Sequence, residues 1–166
     1  MKYFTPELWL AVNSGSRARV VGARRKWMAA QSRYQLQLRD VLGAFGVAAR
    51  RFFTDVSLHD GTLLGVSVQF PGRRSAGMVV TCDVEAPDGS GIYRLSFGEV
   101  ERFEVDRLKA ASLGDEHDKS LGTWGYDELT RREAGAYRYE VLFSSGATLT
   151  VEFGRFRVVK RKHEQV

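Results

Sequence analysis

The sequence predicts an α+β protein: N-terminal helices packed on an antiparallel, meander-like β-sheet of about five to seven strands. Three observations carry this. Ala, Arg and Gln crowd the first 55 residues and give way to Val, Thr, Phe and Tyr after Phe52, a change from helix-forming to strand-forming composition. The spacing of apolar residues changes in the same region from three and four to two. Short connections separate the later runs, so successive strands are expected to pair antiparallel. At 166 residues the chain fits one domain, helical over about 1–55 and β-rich over about 56–162.

Thr5-Pro6-Glu7 reads as a helix start: Thr5 can cap, Pro6 suits the first helical position and Glu7 complements the positive end of the dipole. A short helix follows over 6–13, broken by Ser14-Gly15-Ser16. Ser16 can cap a longer helix over 17–45, in which Val20, Trp27, Tyr34, Leu38, Val41, Leu42 and Phe45 recur on one side and predict a buried stripe. The residues 47–53 continue it or form a separate turn of helix. Strands are expected over 62–70, with Leu64, Val66, Val68 and Phe70 on one face, and over 78–86, with Met78, Val80, Cys82 and Val84 on one face. The next covers 92–97, extended over 100–106 beyond a bulge at Gly98. Two more, over 137–143 and 147–153, flank the hairpin turn Ser144-Ser145-Gly146, and 156–159 forms a bend or a last edge strand. The polar stretch 108–120 reads as a surface excursion.

Composition narrows the function classes. The single cysteine, Cys82, excludes a disulfide framework and thiolate metal clusters, and its place on an apolar strand face marks it as a small core residue. The apolar patch Leu8 to Val12 is too short for a signal-peptide core, and no run approaches a membrane span, so a cytoplasmic protein without membrane contact is expected. Neither a dinucleotide-binding glycine pattern, a phosphate-binding loop nor a Gly-x-Ser-x-Gly elbow occurs, and no cofactor is implied. The net charge of +5 is concentrated at the start: residues 1–55 hold 10 Lys and Arg against 3 Asp and Glu. Arg17, Arg24, Arg25, Lys26 and Arg33 crowd one helix and form the candidate interaction surface, for an acidic protein or for phosphates.

Four landmarks run in order along the chain: MKYFT followed by Glu7-Leu8-Trp9, then Leu58-His59-Asp60-Gly61, then Trp124-Gly125-Tyr126-Asp127-Glu128, and last VLFSSG (141–146) leading into Leu149-Thr150-Val151. Together they resemble an uncharacterised bacterial family, a domain of unknown function, whose members open on MKYFT and pass through a Leu-His-Asp step into a β-rich second half. The resemblance spans most of the chain and implies the order helices then strands, but no activity. Gly125 departs from it, since a larger apolar residue is expected between Trp124 and Tyr126.

His59, Asp60 and His117, the last in the acidic run Asp115-Glu116-His117-Asp118, supply the imidazole and carboxylate groups from which a metal site or an acid–base pair could be built. Adjacent residues on a strand point to opposite faces, however, and Asp60-Gly61 is more simply a turn whose carboxylate accepts backbone hydrogen bonds. The expected function is therefore a non-enzymatic interaction protein, one version being a toxin-neutralising protein of the immunity type. The alternatives are nucleic-acid binding through the Arg-rich helix and a hydrolase or metal-dependent enzyme centred on His59 and Asp60.

Overall fold

The computed structural model describes residues 1–70, 72, 77–107 and 120–162. The helices are α1 (Pro6–Val12), α2 (Arg17–Leu42) and α3 (Val47–Asp55). Thr5 caps α1 as expected, its hydroxyl accepting from the Leu8 N–H at 3.3 Å. Ser16 occupies the N-cap of α2 with an extended backbone but makes no side-chain cap. α2 ends at Leu42 rather than near Phe45, because the glycines at 43 and 46 bracket a turn, and α3 starts afresh from Gly46.

Eight strands follow among the described residues: β1 (Thr62–Gln69), β2 (Met78–Glu85), β3 (Ile92–Val100), β4 (Arg102–Asp106), β5 (Trp124–Arg131), β6 (Tyr137–Phe143), β7 (Thr148–Phe153) and β8 (Arg155–Arg161). All pairings are antiparallel, as the sequence predicts. The single sheet of five to seven strands is corrected to two sheets of four, ordered β1-β2-β3-β8 and β4-β7-β6-β5. The cause is a corner in one long ribbon. β3 runs on into β4 and β7 into β8; β3 pairs with β8 in the first sheet and β4 with β7 in the second. At the corner Glu99 takes a positive φ of 54°, and the Gly154 N–H donates to the carbonyls of both Gly98 and Glu99. A Cβ at Gly154 would stand 3.1 Å from the Glu99 Cβ and against its carboxylate, so a larger residue there would make the Glu99 side chain give way.

The core is continuous from helices to both sheets. Val80, Cys82, Val84, Leu95 and Phe97 from the first sheet and Trp124, Tyr139, Val141, Phe143, Leu149, Val151 and Phe153 from the second are fully buried. Phe97 joins the layers, with ring centroids 5.6 Å from Tyr139 and 5.0 Å from Phe153. Ala23, Ala30, Tyr34, Leu38, Val41 and Leu42 form the inner stripe of α2, with Trp27 and Phe45 half-buried beside it. Tyr34 also reaches β5, where its hydroxyl accepts from the Leu129 N–H at 2.9 Å. Val66 and Val68, on the apolar face that the alternation marks in β1, are exposed.

The first residues are held by two carboxylates. Glu128, fully buried, accepts the backbone N–H groups of Lys2 at 2.8 Å, Tyr3 at 2.7 Å and Phe4 at 2.5 Å. Glu140 pairs with the Met1 ammonium at 2.5 Å. MKYFT is thus a docked segment that seats Tyr3 and Phe4 against Tyr34, Trp27 and Tyr126.

Candidate functional site

Every residue of the proposed basic surface lies on the outside of α2. Arg17, Arg24, Arg25, Lys26 and Arg33 are all exposed, and none is in an ion pair among the described residues. The helix is therefore not docked on the acidic second half of the chain through these groups. Exposed apolar residues, unforeseen from the sequence, lie among them: Val21, Met28 and Leu36, with Met28 68% exposed. At about 100° per residue, Val21, Arg25, Met28, Leu36 and Arg39 fall within about 80° of one another around the helix. The inner stripe already accounts for the packing of α2, so these three are not core residues displaced by a shift of register. Spacings of seven and eight from Val21 to Met28 and Leu36 could have disclosed the second stripe.

His59 joins the 58–61 turn to β5. His59 Nδ1 lies 2.8 Å from the Gly125 carbonyl, and its ring packs on Tyr126 with centroids 4.8 Å apart. Nε2 stands 3.8 Å from an Asp60 carboxylate oxygen, an exposed approach at the outer limit of an ion pair. The expected role of Asp60 is corrected: its carboxylate is 72% exposed and accepts no backbone hydrogen bond among the described residues. What Asp60 supplies is its backbone, at φ 67°, whose N–H donates to the Trp124 carbonyl at 2.7 Å, while the Trp124 N–H donates to the Gly61 carbonyl at 2.8 Å. Asp and Asn are among the few residues that take this left-handed conformation readily. Asp60→Gly should accordingly leave stability unchanged or raise it by up to about 1 kcal/mol, whereas Asp60→Val should cost about 1–2 kcal/mol. Urea unfolding of the two variants decides; equal losses would show that the carboxylate matters.

Asp127, next to Tyr126 and two positions from Gly125, has one carboxyl oxygen engaged already. Oδ2 accepts from the Tyr139 hydroxyl at 2.8 Å and the Trp124 indole N–H at 3.2 Å. Although the residue is only half-buried, burial of its carboxyl pushes the pKa up, while these two hydrogen bonds and the charge of His59 pull it down by less. Asp127 Oδ2 is thus held by Trp124 and Tyr139, and His59 Nδ1 by the Gly125 carbonyl. Among the described residues no group of three or more His, Cys, Asp or Glu side chains could hold a metal. His117 and its acidic neighbours lie outside the described residues. Cys82 is fully buried, and burial pushes its thiol up to about 12, which suits a core residue and not a nucleophile. No helix among the described residues is long and apolar enough to cross a membrane.

Comparison of the chain with protein-family models, with curated proteins and with solved structures finds no match.

Proposed function

We propose that the protein acts by binding, without chemistry of its own, and that the outer face of α2 engages an acidic protein surface. The observation that carries this reading is the mixture on that face: unpaired Arg17, Arg24, Arg25, Lys26 and Arg33 around exposed Val21, Met28 and Leu36. Phosphates reward the positive charges alone, whereas a protein interface combines a small apolar centre with Arg around it. One version of this role is neutralisation of a toxin in the cytoplasm, in the manner of an immunity protein, with the basic face covering an acidic active surface. The enzyme alternative loses support because His59 and Asp127 are each committed to structural hydrogen bonds.

The test starts with co-purification from the native cell and continues with the purified partner. Arg24→Ala, Arg25→Ala and Lys26→Ala combined should slow association about tenfold and flatten its salt dependence. Met28→Asp should act on dissociation instead. If the protein binds random-sequence duplex at low salt, and Met28→Asp leaves that binding intact, the nucleic-acid alternative replaces the protein partner.

A further inference from the structure

Two features of α2 cost the helix stability and serve nothing inside the fold. Gly22 stands in the helix interior, where only proline is less favourable, yet a Cβ there would meet nothing within 4 Å. No close approach within the molecule therefore requires glycine at this position. Arg17 and Arg19 occupy the first turn, where the positive end of the helix dipole disfavours cations, and that turn holds no acidic residue and no side-chain cap. Neither arginine is in an ion pair among the described residues. Local preferences are broken in this way chiefly at functional sites.

Gly22 belongs to the face that carries the exposed Val21, Met28 and Leu36. At about 100° per residue, Gly22 and the exposed Ala29 fall within about 40° of Leu36 around the helix, on the side away from Val21 and Met28. Two positions of little bulk thus lie beside a row of three apolar side chains that runs about 22 Å from Val21 to Leu36. Arg17 and Arg24 flank this strip on one side, Lys26 and Arg33 on the other, all of them exposed.

We infer that the strip receives an α-helix of the partner, amphipathic, with a narrow apolar face and acidic residues on both of its flanks. This rests on the acidic partner proposed for α2 and names the element that it presents. An apolar row about 22 Å long and one side chain wide matches about four turns of a second helix, whose own apolar residues recur along one line. Gly22 and Ala29 let the two axes approach to the near end of the usual range of about 8–10 Å. Cations on both sides of the row call for carboxylates on both sides of the incoming helix, and the uncompensated first turn of α2 calls for another there. A second copy of α2 does not fit, since it would set arginine against arginine.

Fluorescence anisotropy of the whole chain with a labelled synthetic peptide tests this. The probe is about three heptads long, with Leu along one face and Glu on both flanks; a control has the same composition in scrambled order. The amphipathic probe should bind and gain helical circular dichroism in the difference spectrum, and the scrambled control should bind at least about tenfold more weakly. Gly22→Gln should raise the melting temperature, because glutamine is the better helix former, and in the same molecule weaken binding at least about tenfold by occupying the strip. A residue that only served the helix would not combine those two changes. Ala29→Gln should weaken binding by a similar factor with its circular dichroism unchanged, which keeps the test valid if one variant fails to fold. No binding of the amphipathic probe, equal binding of the two peptides, or undiminished binding by both glutamine variants would each overturn the helix while leaving an acidic partner of other shape in place. Binding that survives replacement of Arg24, Arg25 and Lys26 by Ala would instead overturn the acidic partner, and this inference with it.

Discussion

Glu128→Ala should destabilise the protein by about 3–5 kcal/mol, measured by urea unfolding at neutral pH. The carboxylate accepts three backbone N–H groups from residues more than 120 positions away and is itself fully buried. Its removal leaves those donors without partners, or frees the segment and exposes Tyr3 and Phe4, which contact Tyr34, Trp27 and Tyr126. Either course costs several kcal/mol, since each orphaned amide is worth about 1–3 kcal/mol and each aromatic burial about 1.5–3 kcal/mol. Glu128→Gln should lose less, because one carbonyl oxygen can still serve Tyr3 and Phe4 while its NH₂ opposes the Lys2 N–H. The pH dependence has a definite sign. Burial raises the Glu128 pKa above its ordinary 4.5; the three N–H bonds oppose this, and the charge of Glu140 adds to it. A carboxyl whose folded pKa is raised contributes most below the unfolded value and loses that contribution as pH rises through the folded pKa. The advantage of wild type over Glu128→Gln should therefore narrow as pH rises above about 4.5, the ordinary value. A gap that widened with pH would show that the hydrogen bonds outweigh burial.

Gly125→Ala should cost about 2–3 kcal/mol, with an unchanged slope against denaturant. A Cβ there would lie 2.5 Å from the Leu142 carbonyl oxygen, which belongs to the paired backbone of β6 and cannot swing aside as a side chain could. The register between β5 and β6 shifts at this point, between Trp124 and Tyr126, so Gly125 is where the strand makes its bulge. The larger apolar residue expected from the sequence resemblance is excluded by this contact. Gly61→Ala should behave similarly, since its Cβ would meet the carbonyls of Glu85 at 2.6 Å and Leu58 at 2.8 Å. The His59 ring bonds the Gly125 carbonyl, so the two glycines and the imidazole fix one junction between the 58–61 turn and β5.

Local periodicity made much of the fold legible. The two-residue alternation located the strands except β5, whose run WGYDELTR does not alternate, and the stripe from Ala23 to Val41 follows the spacing that placed Tyr34 and Leu38 inside. The division into two sheets was not legible, because it depends on Glu99 and Gly154 meeting across 55 positions of sequence. Alternation in β1 likewise identified a face without revealing that Val66 and Val68 on it stay exposed among the described residues. Glu128 looked like an ordinary polar position beside Asp127; its partners at the other end of the chain give it its role. The basic surface could be read from Arg17 to Arg33 directly, as exposed Arg needs no tertiary partner, but the apolar residues between them became visible only once the inner stripe of α2 was assigned.

The ribbon corner also sets an order of events during synthesis. β3 can pair with β2 as soon as both leave the ribosome, but its other side waits for β8, which ends at Arg161. At roughly 5–20 residues per second, the 61 positions from Val100 to Arg161 take about 3–12 s to make. Through that interval the nascent chain carries unpaired edges on both β1 and β3, with Leu95 and Phe97 not yet covered by the second sheet. Pairing of the two nascent edges on neighbouring chains competes with completion of the corner, so yield of folded protein should depend on how closely ribosomes follow one another.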